Sequence, residues 1–260
     1  MVELRAWRVL GADRPEVVLA ADFPVTGRPE AGFGDLAAGL GGRAALWETL
    51  PPAPGACPPD GAGYTAHWLA EPRERGTDVR AVLGFCAGAV FAAALADGLK
   101  RWQDPPKLIL LDPEKPAAPA LYWQFHRVVD SFAAVLSAEE RAAAQQEAQE
   151  ARAACPDLAG FGSALVAIFR RTGEVAFARA GLTARRGAEL VATFEAFVGY
   201  LGAAATLDPD AAWSSAVTIS SADADDPVAS AARFRFDSGH TELLRDPAVA
   251  ETVAGLLGEG

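Results

Sequence analysis

The sequence has few cysteines and a shortage of positive charge. Its three cysteines, Cys57, Cys86 and Cys155, lie far apart and form no C-x-x-C or Cys/His pattern, so no zinc site is predicted. An odd number of scattered cysteines fits a reducing cytoplasm best. The 23 basic residues face 34 acidic ones, which gives a net charge of −11. Nucleic acids and anionic membranes bind clustered positive charge, so neither is expected as a partner.

Long apolar segments are also missing. The longest uncharged stretch, Ala81 to Ala96, is shorter than the roughly 20 residues that a membrane-spanning helix needs. The segment from Met1 to Arg14 carries charges throughout and lacks the apolar core of a secretory signal. We therefore expect a cytoplasmic protein that has no membrane partner.

The residues that are present predict an α/β protein. Short apolar runs bounded by turns predict strands over Val2–Leu10, Val17–Phe23, Ala44–Leu50, Val79–Leu83, Lys107–Leu111, Ala216–Ser220 and Ala232–Asp237. The turn from Gly11 to Pro15 joins the first two of these strands. A helix pattern over Ala87–Arg101 separates the fourth and fifth strands. Strand, helix and strand at this spacing form a βαβ unit, which implies a parallel sheet.

A long helical region interrupts the strands. No strand pattern occurs from Leu121 to about Ala205. Ser137-Ala-Glu-Glu140 is a capping box that opens one helix, and Cys155-Pro156 ends it. Apolar residues over 190–201 keep helical spacing along one face. We therefore predict a single α/β domain over residues 1–260, with a helical lid inserted over about 121–205.

The most informative motif is Gly84-Phe85-Cys86-Ala87-Gly88. A short apolar strand runs into this G-x-C-x-G segment and a helix follows at once, which is the context of a nucleophile elbow. The helix N-terminus favours the thiolate of Cys86, and the Ala87 N–H is placed as an oxyanion donor. A buried cysteine that only packs between helix and sheet is the alternative interpretation.

Two further residues support the catalytic interpretation. Asp112 ends the strand that follows the elbow, and His240 lies in a glycine-containing loop between the last strand and the last helix. Nucleophile, acid and histidine in this chain order are typical of α/β-hydrolases. Each of the three residues follows the carboxyl end of a predicted strand, where α/β sheets place their sites. The predicted fold is therefore an α/β-hydrolase fold with a Cys86-Asp112-His240 triad.

These motifs resemble a known family. Gly84-Phe85-Cys86-Ala87-Gly88, Leu110-Leu111-Asp112-Pro113 and Gly239-His240-Thr241-Glu242-Leu243-Leu244 are similar to the thioesterases of nonribosomal-peptide and polyketide biosynthesis. The segments Asp22–Gly27 and Phe33–Ala37 resemble that family's first strand, oxyanion loop and first helix. The resemblance covers nearly the whole chain.

The resemblance assigns roles to further residues. It implies that Cys86 is the nucleophile, Asp112 the acid and His240 the base, with a second oxyanion donor at Val25 or Thr26. In some members of the family the acid follows a later strand. In this sequence that position corresponds to Asp223, Asp225 or Asp226.

The cysteine departs from the family's usual serine. A cysteine acyl-enzyme is a thioester, close in energy to a pantetheine thioester, and it exchanges readily with amines and thiols. The resemblance implies an acyl or peptidyl carrier protein as partner and a substrate carried on phosphopantetheine, with no metal or diffusible cofactor. The acceptor is water, an internal nucleophile, or another thiol or amine. A dienelactone-hydrolase-like esterase and a non-catalytic hydrolase-fold protein are the alternatives.

Overall fold

One sheet forms the centre of the fold. The computed structural model describes residues 4–11, 14–23, 30–53, 55–224 and 228–258, and within these ranges the sheet has seven strands. In chain order they are β1 (Trp7–Gly11), β2 (Glu16–Ala21), β3 (Ala45–Thr49), β4 (Asp78–Phe85), β5 (Lys107–Leu111), β6 (Val217–Ser220) and β7 (Ala232–Arg235). Each overlaps a strand predicted from the sequence.

The sheet is mostly parallel, as predicted. Its strand order is β1-β3-β2-β4-β5-β6-β7, in which β1 runs antiparallel to β3 and the other neighbouring pairs are parallel. The predicted βαβ unit is confirmed, since β4 and β5 pair in parallel and a helix connects them. Although β1 and β2 are close in sequence, they are not neighbours in the sheet, because β3 lies between them.

The helices fall into two groups along the chain. Five helices alternate with or follow the strands: α1 (Phe33–Gly39), α2 (Gly61–Arg75), α3 (Gly88–Leu99), α8 (Asp210–Trp213) and α9 (Pro247–Gly258). A 3-10 turn over Leu243–Arg245 precedes α9. The other four helices follow β5 in succession and precede α8: α4 (Ala118–Asp130), α5 (Ala138–Ala154), α6 (Leu158–Arg179) and α7 (Ala184–Ala204). Among the residues that the structure describes, none of the helices is both long enough and apolar enough to cross a membrane.

The central strands are buried on both faces, which explains their continuous apolar runs. Side chains alternate between the two faces of a strand. Leu83 and Phe85 of β4 belong to the core cluster that includes residues of α1 and α9. Gly84 faces α3 on the opposite side, where an added Cβ would lie 2.5 Å from the Ala89 Cα and 2.6 Å from the Ala92 Cβ. Glycine at this position therefore lets α3 pack directly against the end of β4.

The four helices α4 to α7 form a compact unit over residues 116–205. The predicted capping box is present, because Ser137 Oγ accepts from the Glu140 N–H and the Glu140 carboxylate accepts from the Ser137 N–H. The segment 190–201 lies within α7, as its spacing predicts. The core of this unit contains Leu121, Phe125, Phe161, Leu165, Phe169, Phe177 and Phe194. Its role as a lid stays a prediction.

We expect Gly84→Ala to destabilise the protein by about 1–3 kcal/mol, because the new methyl group would overlap the backbone of α3. Urea unfolding of both proteins measures the difference. Gly255→Ala in α9 is the control, since no atom lies within 4 Å of its added Cβ. This control should be neutral or stabilising by up to about 1 kcal/mol. An unchanged unfolding midpoint in Gly84→Ala would contradict the packing argument.

Candidate active site

Cys86 occupies a strained turn between β4 and α3. Its φ of 50° lies in the left-handed region that residues other than glycine rarely adopt. The Cys86 N–H donates to the Leu111 carbonyl at 3.0 Å, and the Cys86 carbonyl accepts from the Ala89 N–H at 3.0 Å. These bonds hold the strained backbone on both sides of the residue. The sequence prediction of a sharp strand-to-helix turn therefore matches the geometry, and the side chain is half-buried.

Asp112 occupies a second left-handed turn, at the end of β5. Its φ is 42°, and its N–H donates to the Ile219 carbonyl at 2.9 Å. The side chain is 7% exposed. One carboxylate oxygen accepts the Ser221 N–H at 2.7 Å, and the other lies 2.7 Å from His240 Nδ1. The structure therefore brings the predicted acid and the predicted base into direct contact.

His240 is oriented by three contacts. Asp112 binds its Nδ1, and its own N–H donates to Asp223 Oδ2 at 2.7 Å. Its ring stacks on the ring of Phe85 with 4.9 Å between centroids and 19° between planes. Phe85 directly precedes Cys86, so this stacking places the imidazole beside the elbow. With Nδ1 bound to Asp112, Nε2 is the ring nitrogen left for proton transfer.

The structure gives Asp112 and Asp223 different positions around His240. Asp112 contacts the ring, whereas Asp223 contacts the backbone N–H of the histidine. The contact with the ring supports Asp112 as the acid, and Asp223 instead holds the histidine loop. The other two alternatives, Asp225 and Asp226, lie outside the described residues.

Of the residues predicted to form the oxyanion hole, only Ala87 lies within the described ranges. Ala87 is the N-cap residue of α3, directly after Cys86, and its role as a donor stays a prediction. Val25 and Thr26 lie outside the described residues. The chain is described again from Glu30, and the Ala31 N–H donates to the Thr241 carbonyl at 2.8 Å. The segment that follows the predicted oxyanion loop is therefore tied to the loop that carries His240.

The charges around the pair favour its ionic form. Burial of the His240 ring opposes its protonation, but the hydrogen bond and charge of Asp112 and the charges of Glu30 and Glu114 outweigh it, so the pKa of His240 is raised. Burial acts to raise the pKa of Asp112, whereas its hydrogen bonds act to lower it. The bonds from His240 and the Ser221 N–H prevail, and the pKa of Asp112 is lowered. A protonated His240 is therefore stabilised by a carboxylate that stays ionised.

Sequence reasoning missed Glu114. Its Oε2 lies 3.7 Å from Cys86 Sγ and accepts a hydrogen bond from the thiol. Its N–H donates to the Cys86 carbonyl at 3.3 Å, so the backbone holds it at the elbow. The available signal was its position two residues after Asp112, since the carboxyl ends of neighbouring parallel strands meet at one edge of the sheet.

A cavity of about 600 Å³ opens beside these residues. Its lining includes Asp112, Glu114, Lys115, Asp210, Asp223 and His240. Lys115 forms an ion pair with Asp210 at 2.7 Å. The cavity lies at the carboxyl ends of β5 and β6, where carboxylates face a space that is also lined by apolar side chains such as Trp213 and Val228.

Comparisons with known proteins identify the fold. Neither a protein-family model nor a curated protein matches the chain. A four-domain nonribosomal peptide synthetase bound to AMP and glycine is similar in structure with a TM-score of 0.60 and 12% identity. The match covers 95% of this chain, which spans only 20% of the synthetase.

Two further solved structures match over nearly their full lengths. The Vlm2 thioesterase domain has a TM-score of 0.51 and 16% identity, with 97% of each chain covered. A hydrolase from Oleispira antarctica has a TM-score of 0.51 and 12% identity, with 98% of this chain and 94% of that chain covered. At these identities the likeness establishes the fold, and the predicted α/β-hydrolase fold is confirmed.

We expect Asp112→Asn to lower the pKa of His240, because the burial that disfavours the imidazolium remains while the anion that stabilises it is lost. NMR titration of the His240 ring measures this shift. Asp223→Asn is the matched control, since Asp223 binds the backbone of His240 and should change the pKa less. A larger shift in Asp223→Asn than in Asp112→Asn would assign the acid to Asp223.

Proposed function

We propose that this protein is a thioesterase-type acyl-transfer enzyme. It accepts an acyl or aminoacyl group from the phosphopantetheine thioester of a carrier protein onto Cys86 and passes the group to an acceptor. The observation that carries the proposal is the His240 ring, which contacts Asp112 on one side and stacks beside the Cys86 elbow. That arrangement supports His240 as a general base that is oriented to deprotonate the Cys86 thiol.

The first half-reaction forms the acyl-enzyme. His240 Nε2 takes the proton from Cys86 Sγ, and the thiolate attacks the carbonyl carbon of the thioester. The resulting oxyanion is stabilised by the N–H of Ala87 together with that of Val25 or Thr26. As the intermediate collapses, the bond between carbon and the pantetheine sulfur breaks, and that sulfur takes the proton from His240. Asp112 stabilises the imidazolium between these two transfers.

The second half-reaction transfers the acyl group. His240 takes a proton from the acceptor, which attacks the Cys86 thioester, and Cys86 leaves as the thiol after receiving that proton. A thioester intermediate lies close in energy to its pantetheine donor. It therefore stays reactive enough to acylate an amine or a thiol, and the cysteine supports transfer or cyclisation as well as hydrolysis.

The structural likenesses support the proposal only through the fold. Two of the similar structures are the Vlm2 thioesterase domain and a four-domain nonribosomal peptide synthetase. One fold hosts many activities, so substrate and acceptor depend on the site and not on the fold.

Intact-protein mass spectrometry with acyl- and aminoacyl-pantetheine thioesters tests the nucleophile. We expect a covalent adduct on the wild type and on Cys57→Ala, and none on Cys86→Ala. Cys57 is a suitable control because burial, together with the charge of Asp60, raises the pKa of its thiol. The lifetime of the adduct in water, compared with its lifetime in added amine or thiol, separates a hydrolase from a transferase.

Other outcomes of this experiment point to the alternatives. Turnover of small esters or lactones without turnover of pantetheine thioesters would identify a dienelactone-hydrolase-type enzyme. No adduct, no turnover and a Cys86 that does not react with iodoacetamide would indicate a non-catalytic hydrolase-fold protein. Either result would overturn the proposed function.

We expect His240→Gln to slow acylation of Cys86 by about 10²–10⁴-fold, because the general base is lost. Rapid-quench mass spectrometry of the adduct measures the rate. His67→Gln in α2 is the control and should acylate at the wild-type rate. In the wild type the rate should rise with pH through the raised pKa of His240, since only the neutral ring accepts a proton. An equal rate in His240→Gln would rule out this base.

A further inference from the structure

Glu114 is held next to the reacting sulfur by the backbone. Its N–H donates to the carbonyl of Cys86, and its Oε2 lies 3.7 Å from Cys86 Sγ. Asp112, two residues earlier, is anchored to β6 through the Ile219 carbonyl. The turn that presents the acid to His240 therefore also presents a second carboxylate to the nucleophile.

The position of Glu114 disfavours the thiolate form of Cys86. The carboxylate accepts a hydrogen bond from the resting thiol, but it repels the thiolate that must form for attack. The N-terminus of α3 favours the same thiolate, so the two neighbours of the sulfur oppose each other. A local conflict of this kind at a site is expected to serve function. A cation supplied by the substrate would remove the repulsion.

An aminoacyl group carries such a cation, its α-ammonium group, close to the carbonyl carbon. When its carbonyl carbon is bonded to Cys86 Sγ, the α-nitrogen lies three covalent bonds from the sulfur. Glu114 Oε2 lies 3.7 Å from the same sulfur, so the ammonium group and the carboxylate are both next to Sγ. An α-ammonium group can therefore reach the carboxylate and form a charge-assisted hydrogen bond with it.

The surrounding charges fit a cationic group. Glu30 and Glu114 both stabilise the protonated form of His240 through their charges, so the negative potential extends across the site. Lys115 lines the same cavity, but its ammonium group is paired with Asp210. The cationic side chain next to Glu114 in sequence is thus engaged by another carboxylate.

We propose that Glu114 is a specificity-determining residue that binds the α-ammonium group of an aminoacyl thioester. This inference rests on the proposed function and narrows it: the preferred acyl group carries a free amine on the carbon next to the carbonyl. Acyl groups that are neutral at that carbon leave Glu114 facing the developing thiolate without compensation. They should acylate Cys86 more slowly than their cationic counterparts.

Two thioesters of the same shape test this specificity. Alanyl-N-acetylcysteamine carries an ammonium group where isobutyryl-N-acetylcysteamine carries a methyl group. The measured quantity is the ratio of their Cys86 acylation rates, alanyl over isobutyryl, in the wild type and in Glu114→Gln. Both substrates use the same sulfur, so a change in thiol reactivity cancels in this ratio. The greater intrinsic reactivity of the alanyl ester cancels when the two proteins are compared.

We expect the ratio to fall by about 3- to 10-fold in Glu114→Gln, because the amide cannot replace the ionic interaction. Glu114→Asp keeps the charge but shortens the side chain and should give an intermediate ratio. Asp97→Asn, which removes an exposed carboxylate from α3, is the charge-matched control and should keep the wild-type ratio. Added salt should lower the ratio in the wild type and leave it unchanged in Glu114→Gln.

The contrary outcomes separate this inference from the proposed function. If both substrates acylate the wild type and Glu114→Gln leaves the ratio unchanged, ammonium recognition is wrong and acyl transfer stands. Equal acceleration of both substrates in Glu114→Gln would show that Glu114 affects only the thiol, which also overturns the inference. If neither thioester acylates the wild-type protein, the proposed function and this inference fail together.

Discussion

The hydrogen bond between Asp112 and His240 is the contact on which the arrangement of the site depends. It joins residues 128 positions apart in the sequence, one at the end of β5 and one in the loop after β7. Burial alone would disfavour a charge on either side chain. Each side chain of the pair stabilises the charge of the other. The second oxygen of Asp112 also accepts a hydrogen bond from the Ser221 N–H, and Asp223 holds the loop that carries His240. These additional hydrogen bonds help to offset the cost of removing the two charged groups from water.

The parallel sheet makes this contact possible. The carboxyl ends of β4, β5 and β6 meet at one edge, where the Cys86 N–H bonds to the Leu111 carbonyl and the Asp112 N–H bonds to the Ile219 carbonyl. Both Cys86 and Asp112 leave their strands with a positive φ. These strained turns lift the two side chains out of the sheet, and the ladder bonds on either side stabilise the strain. Phe85 links the elbow to the core below and to the His240 ring beside it.

Electrostatics at the site are balanced between opposing effects. The N-terminus of α3 favours a negative sulfur, while Glu114 disfavours it. Glu114 and Glu30 raise the pKa of His240 together with Asp112, which stabilises the ion that forms when the thiol is deprotonated. The negative charge of Glu114 therefore disfavours the Cys86 thiolate and also stabilises the protonated form of His240, which accepts the thiol proton. A cationic substrate would remove the repulsion of the thiolate, and Asp112 would still stabilise the protonated His240.

The sequence by itself determined the elements of this fold and the order of its candidate triad. Apolar runs bounded by turns marked the strands, and the G-x-C-x-G segment after one of them marked the elbow, because both patterns depend on neighbouring residues. The separation of β1 and β2 by β3 was not predicted, since strand order is a property of the whole sheet. Which carboxylate meets His240, and that Glu114 meets Cys86, only the tertiary structure decided. Asp112, Asp223 and Glu114 all lie near strand ends in sequence, and only the folded chain places each against the ring, the backbone or the sulfur.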